Sequence, residues 1–467
     1  MADPTAMSVA DLTSAYRKGS LSPVDATRAS LDAIERLDDS VNAFVRVESE
    51  YALESARASE KRWAAGEPLG VADGVPTSIK DIFLTRGWPT LRGSALIDEA
   101  GSWDEDAPCV ARLRETGAVF LGKTTTPEFA WKGVTDSVRF GATGNPWGAG
   151  LTAGGSSGGS ATAVGLGMGT WSVGTDGGGS VRIPAAFTGT VAIKPTYGLI
   201  PLYPASPFGT LAHAGPMTRS VTDAASMLDI ITGFDPRDWS AMPTPSGSFL
   251  DGLDRGVAGM RIAFSPDLGF VRNEPEVDAA VRTAVGVLEE AGAVVEEVNP
   301  GFDDPVEAFE MLWFAGAAKV LEAYGDDALG RIDQGLRSGA ERGRKLSASD
   351  YLDATAVRMT LGKQMSEFHQ TYDVLVTPTM PITAFETNRP APTGSASSAW
   401  TSWTPYTYPF NLTQQPALSV PCGFTSAGLP VGLQVVGPRH ADSRVLRVGR
   451  AYEKSTDWTT ATPTLLQ

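Results

Sequence analysis

The chain has 467 residues, 42% of them apolar and 20% charged, the balance of a globular protein rather than a disordered or fibrous one. A formal net charge of −16 argues against nucleic acid and anionic membrane surfaces as partners. There are only three histidines (His213, His369 and His440), which argues against a His-rich metal site, and two cysteines (Cys109 and Cys422), expected as buried free thiols.

Residues 1–10 hold no apolar stretch of signal-peptide length. No window approaches the roughly 20 apolar residues of a membrane span, so a cytoplasmic protein is expected. Residues 1–65 read as a helical segment packed on a second unit, residues 66–467. Ser22-Pro23 opens the first clear helix, with a serine cap and proline at the first helical position. Val24, Leu31, Ile34 and Leu37 then recur at helical spacing. A second helix spans 51–63 and stops at Gly66 and Pro68.

From Val75 strands and helices alternate. Residues 77–79 read as a strand, 107–115 as a helix and 118–121 as a buried strand after a turn at Gly117. Arg261–Phe264 is a strand, 276–290 a helix and 294–298 a strand. A longer helix over 350–369, capped by Ser349, leads into a strand at 374–376. This alternation predicts an α/β fold, a mixed central β-sheet covered by helices on both faces. Residues 383–408, rich in Pro, Ser and Thr, read as a long surface loop.

Two short motifs mislead. Gly117-Ala118-Val119-Phe120-Leu121-Gly122-Lys123-Thr124 has P-loop spacing, but its Ala-Val-Phe-Leu centre reads as a buried strand, which cannot wrap a phosphate. Gly154-Gly155-Ser156-Ser157-Gly158 contains the G-x-S-x-G of a nucleophile elbow. That pattern needs a preceding strand, and 145–155 reads as loop. An α/β-hydrolase-type esterase with a histidine base is therefore the alternative enzyme class.

A larger constellation carries more. It joins Gly74-Val75-Pro76-Thr77-Ser78-Ile79-Lys80-Asp81, the serine cluster from Gly154 to Ser160, and Gly174-Thr175-Asp176-Gly177-Gly178-Gly179-Ser180-Val181-Arg182-Ile183-Pro184. Lys194-Pro195-Thr196-Tyr197-Gly198, Gly215-Pro216-Met217-Thr218-Arg219 and Ser419-Val420-Pro421-Cys422-Gly423 follow in order. The set resembles the amidase signature family over about residues 11–437, with the signature core at about 74–220. Gln414 departs from it, standing where glycine is usual in the family.

The resemblance implies an amidohydrolase with Ser180 as nucleophile, Ser156 on a cis peptide bond as proton shuttle and Lys80 as base. A lysine is protonated at neutral pH, so that role needs burial to make the amine neutral. Read from the residues alone, Lys80 pairs with Asp81, and Ser157 is as good a candidate as Ser156. Amides at Gly177, Gly178 and Gly179 are expected to form the oxyanion hole. Ser157, Asp176 and Arg182 are expected to support the site, the last two as a buried pair. Trp131, Phe208, Trp313, Trp400, Trp403 and Gln414 are expected around the substrate. The aromatics point to neutral, hydrophobic amides, anilides or aryl carbamates. The resemblance implies no metal and no cofactor, only substrate and water, with a monomer or homodimer as the assembly. Family members also include the catalytic subunit of a glutamine-dependent amidotransferase, which works with partner subunits; the block Arg182-Ile183-Pro184 looks more like the stand-alone amidases.

Overall fold

In the segment Val374–Pro378, Val374 and Val376 enter one apolar cluster while Leu375 enters another, so the strand is buried on both faces. The same division runs through a mixed sheet of eleven strands in this computed structural model, which describes residues 3–395 and 397–467. In chain order the strands are β1 (Phe44–Val47), β2 (Pro76–Lys80), β3 (Val119–Thr124), β4 (Trp171–Asp176), β5 (Val191–Lys194), β6 (His213–Thr218), β7 (Arg261–Phe264), β8 (Val294–Glu297), β9 (Val374–Pro378), β10 (Ala417–Phe424) and β11 (Pro430–Val436). Across the sheet they lie in the order β1-β3-β2-β4-β6-β5-β10-β11-β9-β7-β8. β2 runs parallel to β3 and β4, and β7 parallel to β8 and β9; the other pairings are antiparallel.

Helices cover both faces. Pro108–Glu115, Val221–Ile231, Pro275–Glu290 and Asp442–Lys454 contribute to one cluster, and Val306–Leu321 and Gln334–Gly343 to the other. The helix after Ser22 spans Pro23–Val41, and its cap is closed reciprocally by Asp25. Residues 1–65 are not only helical, because β1 pairs with β3 and forms one edge of the sheet.

Three sequence expectations change. The helix of Ala348–Phe368 is capped by Ser347, not Ser349, since Asp350 reaches back to close a capping box on Ser347. Gly148–Thr152 is a strand, paired with Gly144–Asn145 in a small ribbon outside the main sheet. The loop over 383–408 is not merely superficial: Trp400, Trp403, Tyr406 and Tyr408 are buried and anchor it in the core. Among the described residues, no helix is long and apolar enough to cross a membrane.

Candidate active site

The parallel pairing of β2 with β4 sets Ile79 beside Val173, so the carboxyl ends of the two strands bring Lys80 and Thr175 together. A turn at 154–157, containing a cis peptide between Gly155 and Ser156, leads into the helix Gly158–Gly165 and completes the cluster. Lys80 Nζ lies 2.7 Å from Ser156 Oγ, 2.9 Å from Ser157 Oγ and 2.7 Å from Thr175 Oγ1. Lys80 is fully buried with no carboxylate bonded to it among the described residues. Burial pushes its pKa well below the ordinary lysine value, only partly opposed by the charge of Asp176.

The partner expected from sequence, Asp81, instead meets Lys123 at 3.1 Å with both side chains fully buried. Lys123 is the lysine of the false P-loop. It lies on β3, and its remaining donors reach the Phe83 carbonyl at 2.9 Å and Thr90 Oγ1 at 2.6 Å.

The two adjacent serines are not equivalent. Ser157 Oγ donates to the Thr175 carbonyl at 3.1 Å and accepts from the Thr175 amide at 3.2 Å. Its proton is therefore spent, and it can only accept from Lys80. Ser156 keeps a hydroxyl proton that can be given to an uncharged amine. Ser156 and Ser180 line the same cavity, and the Ser180 hydroxyl makes no hydrogen bond among the described residues.

Asp176 and Arg182 form the buried pair that holds the glycine turn. Arg182 Nη2 donates to Asp176 Oδ1 at 2.9 Å and Nε to Oδ2 at 3.0 Å. The other guanidinium donors reach Asn411 Oδ1, Gln434 Oε1 and the Thr407 carbonyl at 2.7–3.0 Å. Burial alone would raise Asp176, but the Arg182 charge and hydrogen bonds outweigh it and hold the carboxyl well below its usual range. The Gly179 amide donates to Asp176 Oδ1 at 2.8 Å, so it is not free for an oxyanion. The Gly177, Gly178 and Ser180 amides have no partner among the turn and loop hydrogen bonds. Glycine at 177 and 178 also has a packing reason, since a Cβ would come within 2.8 Å of Trp313 and 2.6 Å of Trp400 respectively.

The cavity walls come mainly from 202–208, Phe129, Ala130 and Trp313. Phe208 stacks on Trp313 with ring centroids 3.9 Å apart, and both face the cavity. The other four residues expected there lie elsewhere. Trp131 and Trp400 pack behind Trp313 at 6.2 and 5.5 Å, while Trp403 stacks on Phe187. Gln414, at φ 62°, turns its amide toward the Thr210 carbonyl.

The histidines offer no base to either serine. His213 reaches the cavity, but Nδ1 faces the Leu211 carbonyl at 2.8 Å and Nε2 faces Lys194 Nζ at 3.5 Å. Burial, with the neighbouring Lys194, lowers its pKa well below the ordinary value. His369 is held by the Tyr372 carbonyl, and neither it nor His440 lines the cavity. Among the described residues, no group of three His, Cys, Asp or Glu side chains converges as a metal site requires.

The sequence matches the family model described as Amidase across residues 25–446. The chain belongs to the amidase signature family. It is 36% identical over 465 residues to an acylamidase of Rhodococcus erythropolis, covering 98% of this chain and 97% of the relative. It is also 36% identical over 485 residues to a glutamyl-tRNA(Gln) amidotransferase subunit of Myxococcus xanthus, covering 97% and 98%. A bacterial aryl acylamidase of the amidase signature family superposes with a TM-score of 0.91 at 29% identity, over 97% of each chain. This amidase is accordingly a hydrolase of carbon–nitrogen bonds. Sequence reading missed Thr175, Asn411 and Gln434 as supports of its site; only Thr175 stands inside a quoted motif block, where a polar residue among glycines was the available signal.

Proposed function

We propose that this amidase hydrolyses amides with aromatic or long apolar groups through an acyl-enzyme on Ser180, with Ser156 and Lys80 as the proton relay. The observation that carries this reading is the fully buried Lys80 amine, 2.7 Å from Ser156 Oγ and without a carboxylate partner among the described residues. Neutral Lys80 takes the proton of Ser156 as Ser156 takes that of Ser180. The Ser180 oxygen then forms its bond to the substrate carbonyl carbon. Free amides at Gly177, Gly178 and Ser180 face the oxyanion; one such donor is worth about 3–4 kcal/mol at the transition state. The proton returns through Ser156 to the leaving nitrogen as the C–N bond breaks. Water, giving its proton to the same relay, releases the acid and restores Ser180.

The stacked Phe208 and Trp313 support flat substrates, anilides first and aryl carbamates second. Ser180→Ala, Ser156→Ala and Lys80→Ala are each expected to abolish turnover of an anilide, aryl carbamate, short amide and ester panel. A preference for small polar amides would overturn the aromatic reading. The amidotransferase relative supports a second reading, glutamine hydrolysis, which ammonia release from free glutamine tests directly.

A further inference from the structure

Arg92 lies in the cavity wall with its charge unanswered. Among the described residues its guanidinium makes no hydrogen bond, no ion pair and no stacking contact with an aromatic ring. Two other buried cations near the site are matched, Arg182 by Asp176 and Lys123 by Asp81. Asp81 and Tyr324 are the groups whose charge acts on Arg92, but Asp81 already holds Lys123 and a tyrosine is neutral at ordinary pH. Among the described residues no carboxylate lines the cavity, and Arg92 is the one charged side chain in its lining.

The backbone at this point is fixed from both sides. The Arg92 amide donates to the Asp81 carbonyl at 3.1 Å, and its carbonyl accepts from the Phe129 amide at 2.7 Å. Arg92 takes φ 53°, the left-handed region in which a residue with a Cβ is uncommon and costs energy. A long cationic side chain is thus held at a costly backbone position in the wall of a pocket whose other lining groups are apolar, hydroxyl-bearing or the His213 imidazole. A guanidinium stays charged even where burial lowers its pKa, and its planar fork matches a carboxylate.

We propose that Arg92 anchors a carboxylate carried by the substrate, so that the amides turned over are apolar in the middle and anionic at one end. This rests on the amidase reading above and narrows it: a substrate neutral throughout leaves the guanidinium unpaired in a half-buried site. The carboxylate sits on the acyl or the amine side of the scissile bond, and the two sides are separable by experiment.

Two matched pairs make the test. On the acyl side, 4-(4-nitroanilino)-4-oxobutanoate is compared with pentanoyl 4-nitroanilide. On the amine side, N-butanoyl-4-aminobenzoate is compared with N-butanoyl-4-methylaniline. In one pair the wild-type enzyme is expected to favour the carboxylate member in kcat/KM by roughly 10–100-fold, the range for hydrogen bonds to a charged group. Arg92→Met is expected to collapse that ratio to about one or below, and Arg92→Lys to keep part of it. A parallel reading needs no turnover: 4-phenylbutanoate should slow fluorophosphonate labelling of wild-type Ser180 more than 4-phenylbutanol does, and Arg92→Met should erase the difference. Preference for the neutral member in both pairs, or a carboxylate preference that survives Arg92→Met, overturns the proposal. Failure of the amidase reading shows separately, as no cleavage of any member of either pair or as cleavage that persists in Ser180→Ala.

Discussion

Asp81 bonds to Lys123 across a fully buried 3.1 Å contact, and by doing so it leaves Lys80, its neighbour in sequence, without a counter-ion among the described residues. The two lysines sit on adjacent parallel strands with Ile79 paired to Lys123, yet their environments diverge. One is neutralised by a carboxylate and the other is surrounded by hydroxyls. In the proposed mechanism the chemistry of Lys80 thus depends on a pair that lies outside the cavity lining.

Removing one member of that pair should be costly. Asp81→Asn leaves Lys123 charged and unpaired in the interior and is expected to lower stability by about 3–5 kcal/mol, read from urea melts. The double variant Asp81→Asn, Lys123→Met should recover much of the loss. A single variant as stable as wild type would mean that Lys123 is already neutral.

The lowered pKa of Lys80 has a calculable sign. Its ordinary value is 10.5, and the folded protein holds it well below that. Between the two values the unfolded chain binds the extra proton, so this group makes folding less favourable as pH falls from 10.5, by about 1.4 kcal/mol per pH unit, until the folded value is reached. Lys80→Met should therefore lose less stability than wild type as pH falls below 10.5. In wild type, kcat/KM should rise with pH along an acid limb set by the same amine.

The aromatic wall makes a graded prediction. Trp313→Ala removes the ring that stacks on Phe208 in the cavity and should raise KM for anilides by about tenfold or more, given roughly 0.5–1.5 kcal/mol per aromatic pair plus lost apolar area. Trp403→Ala, whose ring stacks on Phe187, should act mainly on stability. Equal KM effects from both would contradict the placement of the wall.

Burial pushes the Cys109 thiol up to about 12 and the Cys422 thiol still higher. Neither thiol should react with a disulfide reagent in the native protein, and both should titrate after denaturation. Rapid native reaction of one would show that its segment opens.

Much of this architecture is readable in the sequence because it is local. The Ser22-Pro23 cap, the apolar run inside 117–124 and the order of the glycine–serine blocks need no knowledge of the far side of the sheet. Other features depend on what packs against them. Asp81 could pair with Lys80 by sequence proximity, and only the neighbouring strand brings Lys123 in. Six positions were candidates for the substrate wall, but burial of Trp131, Trp400 and Trp403 behind or beside the lining layer is a tertiary fact. Arg92 carries no motif at all, so its exposure to the cavity is visible only in the fold.

The central claim is that an uncharged Lys80 draws the proton of Ser180 through Ser156. The rate of Ser180 labelling by a fluorophosphonate, followed by intact mass and peptide mapping, tests it most directly. Lys80→Met and Ser156→Ala should slow labelling by about 10²–10⁴-fold, the usual range for a lost general base, while His213→Asn should have a much smaller effect. Labelling of Lys80→Met at the wild-type rate, or a label on a residue other than Ser180, would contradict the account.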